Sequence, residues 1–166
     1  MPTRAGRSRA VATALAAAVA ATAAAATPAA AAIRVTTTDG RQVASFNALS
    51  CRVDSAGFHA RQVARGWRLV VRVFRFDGFH RYLLEYGEDA SGAPSFFLDP
   101  PGGGNTFSNA NEPQTDVPRL TLGGAINFPQ GRRTLRLTFP VAYDSEGRDP
   151  NIVRVVGNAP CRFGGR

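Results

Sequence analysis

Cys51 and Cys161 are the only two cysteines in the chain, and any fold must either bring them together or keep them apart. A bond between them closes a loop of 110 residues, which on the chain-entropy account restricts the unfolded state by roughly 4 to 5 kcal/mol. Disulfides persist only in oxidising compartments, so the pairing depends on where the chain folds. A catalytic or metal-binding thiol is the alternative. The sequence holds no Cys-x-x-Cys and no histidine near either cysteine to complete a ligand set.

The N-terminus answers the question of compartment. Arg4, Arg7 and Arg9 form a positive head, residues 10–26 are mostly alanine with Val11, Leu15 and Val19, and Pro28 precedes an Ala30-Ala31-Ala32 cleavage site. This layout predicts a cleaved secretory signal peptide over 1–32 and a single secreted β domain over 33–166. No two arginines in the head are adjacent, and no cysteine directly follows the apolar run, so neither twin-arginine export nor a lipid anchor is expected. The run is also short for the ~20 residues of a membrane span, and no stable membrane insertion is expected after cleavage.

Export makes the disulfide the expected fate of Cys51 and Cys161, as a clasp between the two ends of the domain. The segment 33–166 is long enough for one hydrophobic core. Its 17 arginines against 12 acids give it a formal charge of +5. All 20 basic residues of the full chain are arginine, a codon signature of a GC-rich bacterial genome that weakens any reading of arginine as selected for phosphate. The arginines are interleaved with acids, so no nucleic-acid partner is expected.

The patterning is that of short strands. Two β-rich runs within 67–86 flank Asp77-Gly78, a dipeptide suited to a type I′ turn, and predict a hairpin whose partners sum to 155. Leu69, Val71 and Val73 then face Tyr86, Leu84 and Tyr82 on an apolar side that also takes Trp67. The other side carries Arg68, Val70, Arg72 and Phe74 against Arg81, Leu83 and Glu85, with Glu85 in ion-pair reach of Arg68 and Arg72. A second hairpin turns at Asp39-Gly40, placing Ile33 by Phe46 and Val35 by Ala44.

Thr134, Arg136 and Thr138 alternate with Leu135, Leu137 and Phe139, marking a half-buried strand. It is expected to pair with 119–128 across a three-residue loop, Pro129-Gln130-Gly131. A final strand over 152–156 leads to Cys161, and 61–65 reads as a single helical turn. The fold class that follows is all-β, an antiparallel β-sandwich, immunoglobulin-like or related, or else a small barrel. Residues 99–117, rich in proline, glycine and asparagine, form a long loop that is either disordered or a ligand-contacting loop with Phe107 as its contact.

Catalytic chemistry is thinly supplied. His59 and His80 are the only histidines, and no G-x-S-x-G elbow occurs. His80 is expected at a strand end beside Arg75, which disfavours its charged form, and His59 at the surface. Glu85, Glu88 and Asp89 are the nearest approach to a glycosidase pair. The cluster Asp144, Glu146, Asp149 and Asn151 lacks EF-hand spacing and reads as a plain loop; no cofactor or metal ion is expected.

The expected function is non-catalytic binding by an exported protein, acting extracellularly or at the cell envelope. The ligand surface is Arg68, Arg72, Phe74 and Arg81, with Phe107, facing an acidic or carbohydrate partner. The competing reading of that face is structural, with Val70, Phe74 and Leu83 packed under another segment. The rival functions are a small secreted hydrolase, which needs a histidine beside a serine or carboxylate, and a protease inhibitor presenting the 99–117 loop.

Overall fold

Alternation of apolar and polar residues at a period of two governs nearly the whole domain, and the structure is accordingly almost entirely β. It is a computed structural model that describes residues 31–85, 87, 92–110, 124–143 and 152–164. Residues 1–30 of the expected leader, the acidic cluster at 144–151, Tyr86, Glu88, Asp89 and 111–123 lie outside the described residues. No helix among the described residues is long and apolar enough to cross a membrane.

The first two strands, β1 (Ile33–Thr37) and β2 (Gln42–Phe46), form the predicted hairpin, with Ile33 opposite Phe46 and Val35 opposite Ala44. A bulge after Val35 then pairs Thr36 with Gln42. The Asp39-Gly40 turn closes with the Gly40 amide donating to the Thr37 carbonyl at 2.9 Å.

Three strands follow in a meander: β3 (Leu49–Asp54), β4 (Gly57–Ala64) and β5 (Trp67–Val73). The β4–β5 turn is Arg65-Gly66, with φ of 52° and 81°, the two positive values of a type I′ turn. Residues 61–65 are therefore strand and turn, not helix. The amphipathic β3–β4–β5 pattern repeats every two residues, and the sheet partners satisfy the amides that a lone helical turn leaves open.

The hairpin expected at Asp77-Gly78 does not form. β5 pairs with β4 on one edge and, on the other, with β7 (Ser95–Asp99), so Leu69 faces Leu98 and Val71 faces Phe96. The other expected arm survives as β6 (Tyr82–Leu84), which pairs with β9 (Gly124–Asn127). Both arms keep the predicted inward faces, since Leu69, Val71, Val73, Tyr82 and Leu84 are all buried. What changes is the partner: the intervening residues turn Phe76 and Phe79 back onto the core, with rings 5.6 Å (Phe76 to Phe58) and 5.3 Å (Phe79 to Phe128) from core phenylalanines. Burying two aromatic rings outweighs a two-residue turn.

Part of the expected long loop is also strand. β8 (Phe107–Ser108) pairs with β7, and Tyr143 of β10 (Thr134–Tyr143) pairs with Ser108. The predicted pairing of β9 with β10 holds, with Leu137 opposite Ile126. The connection is longer than three residues because a 3-10 turn at Gly131–Arg133 lies inside it. A bulge between Phe139 and Ala142 accommodates Pro140, which has no amide to give a ladder.

The last strand, β11 (Ile152–Phe163), organises the whole. One edge pairs with β10 from Thr134↔Pro160 to Tyr143↔Ile152. The other takes β1 along 153–157 and then, in parallel, β3 along 161–163. The order β3-β4-β5-β7-β8-β10-β11 thus returns to β3 and closes a ring of strands around one core. Cys161 stands opposite Leu49 beside Cys51, and the two cysteines are bonded with Cα atoms 5.5 Å apart.

Candidate functional site

In the arc β3-β4-β5-β7, the residues that do not face the core form a grid on the outside of the ring. The registers set Arg52, His59, Arg72 and Ser95 in one row, and Ser50, Arg61, Val70 and Phe97 in the next. Val63, Arg68 and Asp99 make a third. Phe74 follows β5 at the near end, 36% exposed, and Val63 is 66% exposed. On this face Arg52, Arg61, Val63, Arg68, Arg72 and Phe74 are exposed, whereas Ser95 is buried and His59, Val70 and Phe97 are partly so; the expectation that Val70 and Phe74 pack beneath another element is not met at Phe74.

The cations on the face differ in their partners. Arg68 Nε lies 2.6 Å from Asp99 Oδ2, and Asp99 also accepts from the Thr106 hydroxyl at 2.7 Å. The predicted Glu85 pairing is thereby replaced, because β7 and not β6 lies beside β5. Arg52 Nε is 3.2 Å from Asp54. Arg72 instead lays its guanidinium 5.4 Å from the centre of the Phe97 ring, a cation–π contact. Among the described residues neither Arg61 nor Arg72 has an ion-pair partner.

His59 sits within this grid, not at the open surface as expected; its side chain is 19% exposed. Its Nε2 is buried without a hydrogen bond, and Asp54 Oδ1 is 3.6 Å away. Burial holds its pKa below the usual histidine value; Arg52 and Arg72 push the same way and Asp54 opposes them. His59 is thus a neutral spacer between two arginines at neutral pH.

Two of the expected contacts lie elsewhere. Arg81 immediately precedes β6, which pairs with β9 and not with β5, so no ladder sets it beside Arg72. Phe107, on β8, is only 8% exposed, with its ring 6.2 Å from that of Trp67. It is a core residue because β8 opposes it to Leu98. Sequence reasoning missed Arg52, Arg61 and Phe97. The alternation of 49–64 and 95–99 was the available signal, but only the register shows that these residues share a face.

The second histidine forms a compact cluster. His80 Nε2 is 2.6 Å from Asp77 Oδ1, its Nδ1 is 3.0 Å from the Arg81 carbonyl, and its ring stacks on Tyr82 at 4.3 Å. The Tyr82 hydroxyl lies 2.7 Å from both Asp77 Oδ1 and the Gly78 carbonyl. The Arg81 carbonyl and then Asp77 raise the His80 pKa, reversing the expectation of a disfavoured imidazolium beside Arg75. Asp77 is lowered, first by the Tyr82 hydroxyl and then by His80. A histidine–carboxylate pair is half of a hydrolytic triad, but here the second ring nitrogen faces a backbone carbonyl where a triad needs a nucleophile.

Among the described residues no group of three or more His, Cys, Asp or Glu could hold a metal ion. No protein-family profile, curated protein or solved structure matches the chain, so the arginine–aromatic face stands on its own geometry as the candidate site.

Proposed function

We propose that this chain is a non-catalytic, exported binding protein that acts extracellularly or at the cell envelope, and that the outer face of β3-β4-β5-β7 is its ligand surface. Export rests on the leader pattern of 1–32 and accords with the Cys51–Cys161 bond. We read the two arcs of the strand ring as the layers of a β-sandwich enclosing one core.

The observation that carries the reading is the interleaving of arginines with exposed apolar groups on one arc. Arg61 and Arg72, without acidic partners among the described residues, flank Val70 and Phe97, and Val63 and Phe74 lie exposed beside them. On the other arc Arg34, Arg136 and Arg154 stand largely among Thr36, Ser45, Asn127, Thr138 and Asn158. Guanidinium donors beside apolar surface are the composition of a recognition patch, and an unpaired guanidinium keeps its donors for a ligand.

The test is sedimentation of the purified, oxidised protein with bacterial envelopes across a salt series. Saturable binding that weakens with salt is expected, with a loss of about tenfold or more in the double variant Arg61→Glu/Arg72→Glu. Unchanged binding in that variant would remove the face as the site. The hydrolase reading draws on the His80–Asp77 pair alone, and activity abolished by His80→Gln would favour it.

A further inference from the structure

We infer that the ligand of this face is an acidic polysaccharide, an extended chain whose carboxylates meet the arginines and whose sugar rings rest on the apolar groups between them. This rests on the reading of the β3-β4-β5-β7 face as the binding surface and names its ligand class.

The spacing of the cations calls for a polymer. Arg52 and Arg72 share a row with β4 between them, so their backbones are about 10 Å apart, two strand spacings. Arg61 lies one strand and two residues from Arg72, a separation of about 8 Å. Cations spread over this span, Arg61 and Arg72 without an acidic partner among the described residues, offer donors at several points of the face at once. A chain bearing an anion on successive or alternate sugars engages several. The line of cations crosses the strands, and Arg52, Arg61 and Arg72 are all exposed, so an extended ligand can lie across them.

The spaces between the cations call for sugar. Val70 lies between Arg61 and Phe97 in its row, Val63 borders Arg68, and Phe74 ends the array. These groups present C–H and ring surface that a purely inorganic polyanion cannot use, whereas the apolar faces of pyranose rings can cover it. Phe97 is capped by the Arg72 guanidinium, so Phe74 is the aromatic ring left on the face for contact. One half-exposed ring is a poor platform for successive nucleobases, which bind by repeated stacking.

The experiment compares binding of the oxidised protein to polygalacturonate, neutral dextran, polyphosphate and single-stranded oligothymidylate at one ionic strength. Salt-sensitive binding to polygalacturonate is expected, with none to dextran and at least about tenfold weaker binding to polyphosphate. Arg61→Glu/Arg72→Glu should abolish polygalacturonate binding. Val63→Ser/Phe74→Ser, both at exposed positions, should weaken it severalfold while leaving the residual polyphosphate binding as it was. Far-ultraviolet circular dichroism checks that each variant is folded. Equal binding to polyphosphate, or preference for oligothymidylate, overturns the glycan assignment. Envelope binding lost in the arginine variant but without any affinity for polygalacturonate also overturns it and leaves the binding face standing; no envelope binding at all removes the face itself.

Discussion

The two histidines respond to acid in opposite senses because one is buried beside cations and the other is held between acceptors. Folding raises the pKa of His80 above the ordinary 6.5 and lowers that of His59 below it. For His80 the native state binds the proton more tightly, so its stabilising contribution is present below pH 6.5 and disappears as pH rises through the folded value. For His59 the unfolded chain takes the proton first, so stability is lost as pH falls from 6.5 toward the depressed native value. Titration of the two imidazoles by NMR should show one midpoint on each side of 6.5, and Asp77→Asn should bring that of His80 down. A His80 midpoint unmoved by that substitution would remove Asp77 as its partner. Asn109 makes a different residue-scale contribution. It is 2% exposed, its Oδ1 accepts from the Phe96 amide at 2.9 Å, and its Nδ2 donates to the Glu85 and Pro94 carbonyls. Asn109→Ala strands three backbone groups, and a cost of about 1–3 kcal/mol for even one of them should appear as a lower urea midpoint.

At the scale of elements, turns and close approaches set which strands meet. The Arg65-Gly66 turn joins β4 to β5 with a non-glycine residue at φ 52°, a conformation that costs an ordinary side chain about 1 kcal/mol. Arg65→Asn, which tolerates that region and matches the preferred Asn-Gly turn, should raise stability by up to about 1 kcal/mol. An unchanged or lower denaturation midpoint would contradict the turn assignment. Gly157 is the opposite case. It lies on β11 where β1 and β10 both pair, at φ 146°, and a Cβ there would sit 2.9 Å from the Ile33 Cα. Gly157→Ala should lower stability by about 3 kcal/mol, and a near-neutral effect would show that β1 does not approach there. The amphipathic alternation of β1, β2, β5 and β10 was legible in the residues, as was the Asp39-Gly40 hairpin. The Arg65-Gly66 turn was not, because an Arg-Gly pair carries weaker local turn chemistry than Asp77-Gly78.

For the molecule as a whole, closure of the strand ring depends on a short contact. β11 meets β3 through three parallel pairs, Cys161↔Leu49 to Phe163↔Cys51, and the disulfide crosses this seam. The β10–β11 ladder is far longer, running from Thr134 to Tyr143. Cys51→Ala/Cys161→Ala should lower the unfolding free energy by as much as about 4–5 kcal/mol. In hydrogen exchange, β3 and residues 161–163 should lose protection first while β1, β10 and the first half of β11 keep it. Uniform loss across all strands would mean that the clasp constrains only the unfolded chain and not the seam.

The sequence by itself determined which residues of most strands face inward, the one bond that the two cysteines make, and the all-β class. Those properties follow from a period of two, from the count of cysteines and from local turn chemistry, all of which act within a few residues. Tertiary structure alone decided strand partners: β7 beside β5, β6 beside β9, Phe107 in the core. Any exposed strand edge can satisfy another's amides, so partner choice is settled by competition among all edges and by burial of rings such as Phe76 and Phe79. The candidate site shares this division. Arg68, Arg72 and Phe74 were legible as one strand's outer face, whereas the inclusion of Arg52, Arg61 and Phe97 and the displacement of Arg81 were fixed only when distant segments became neighbours.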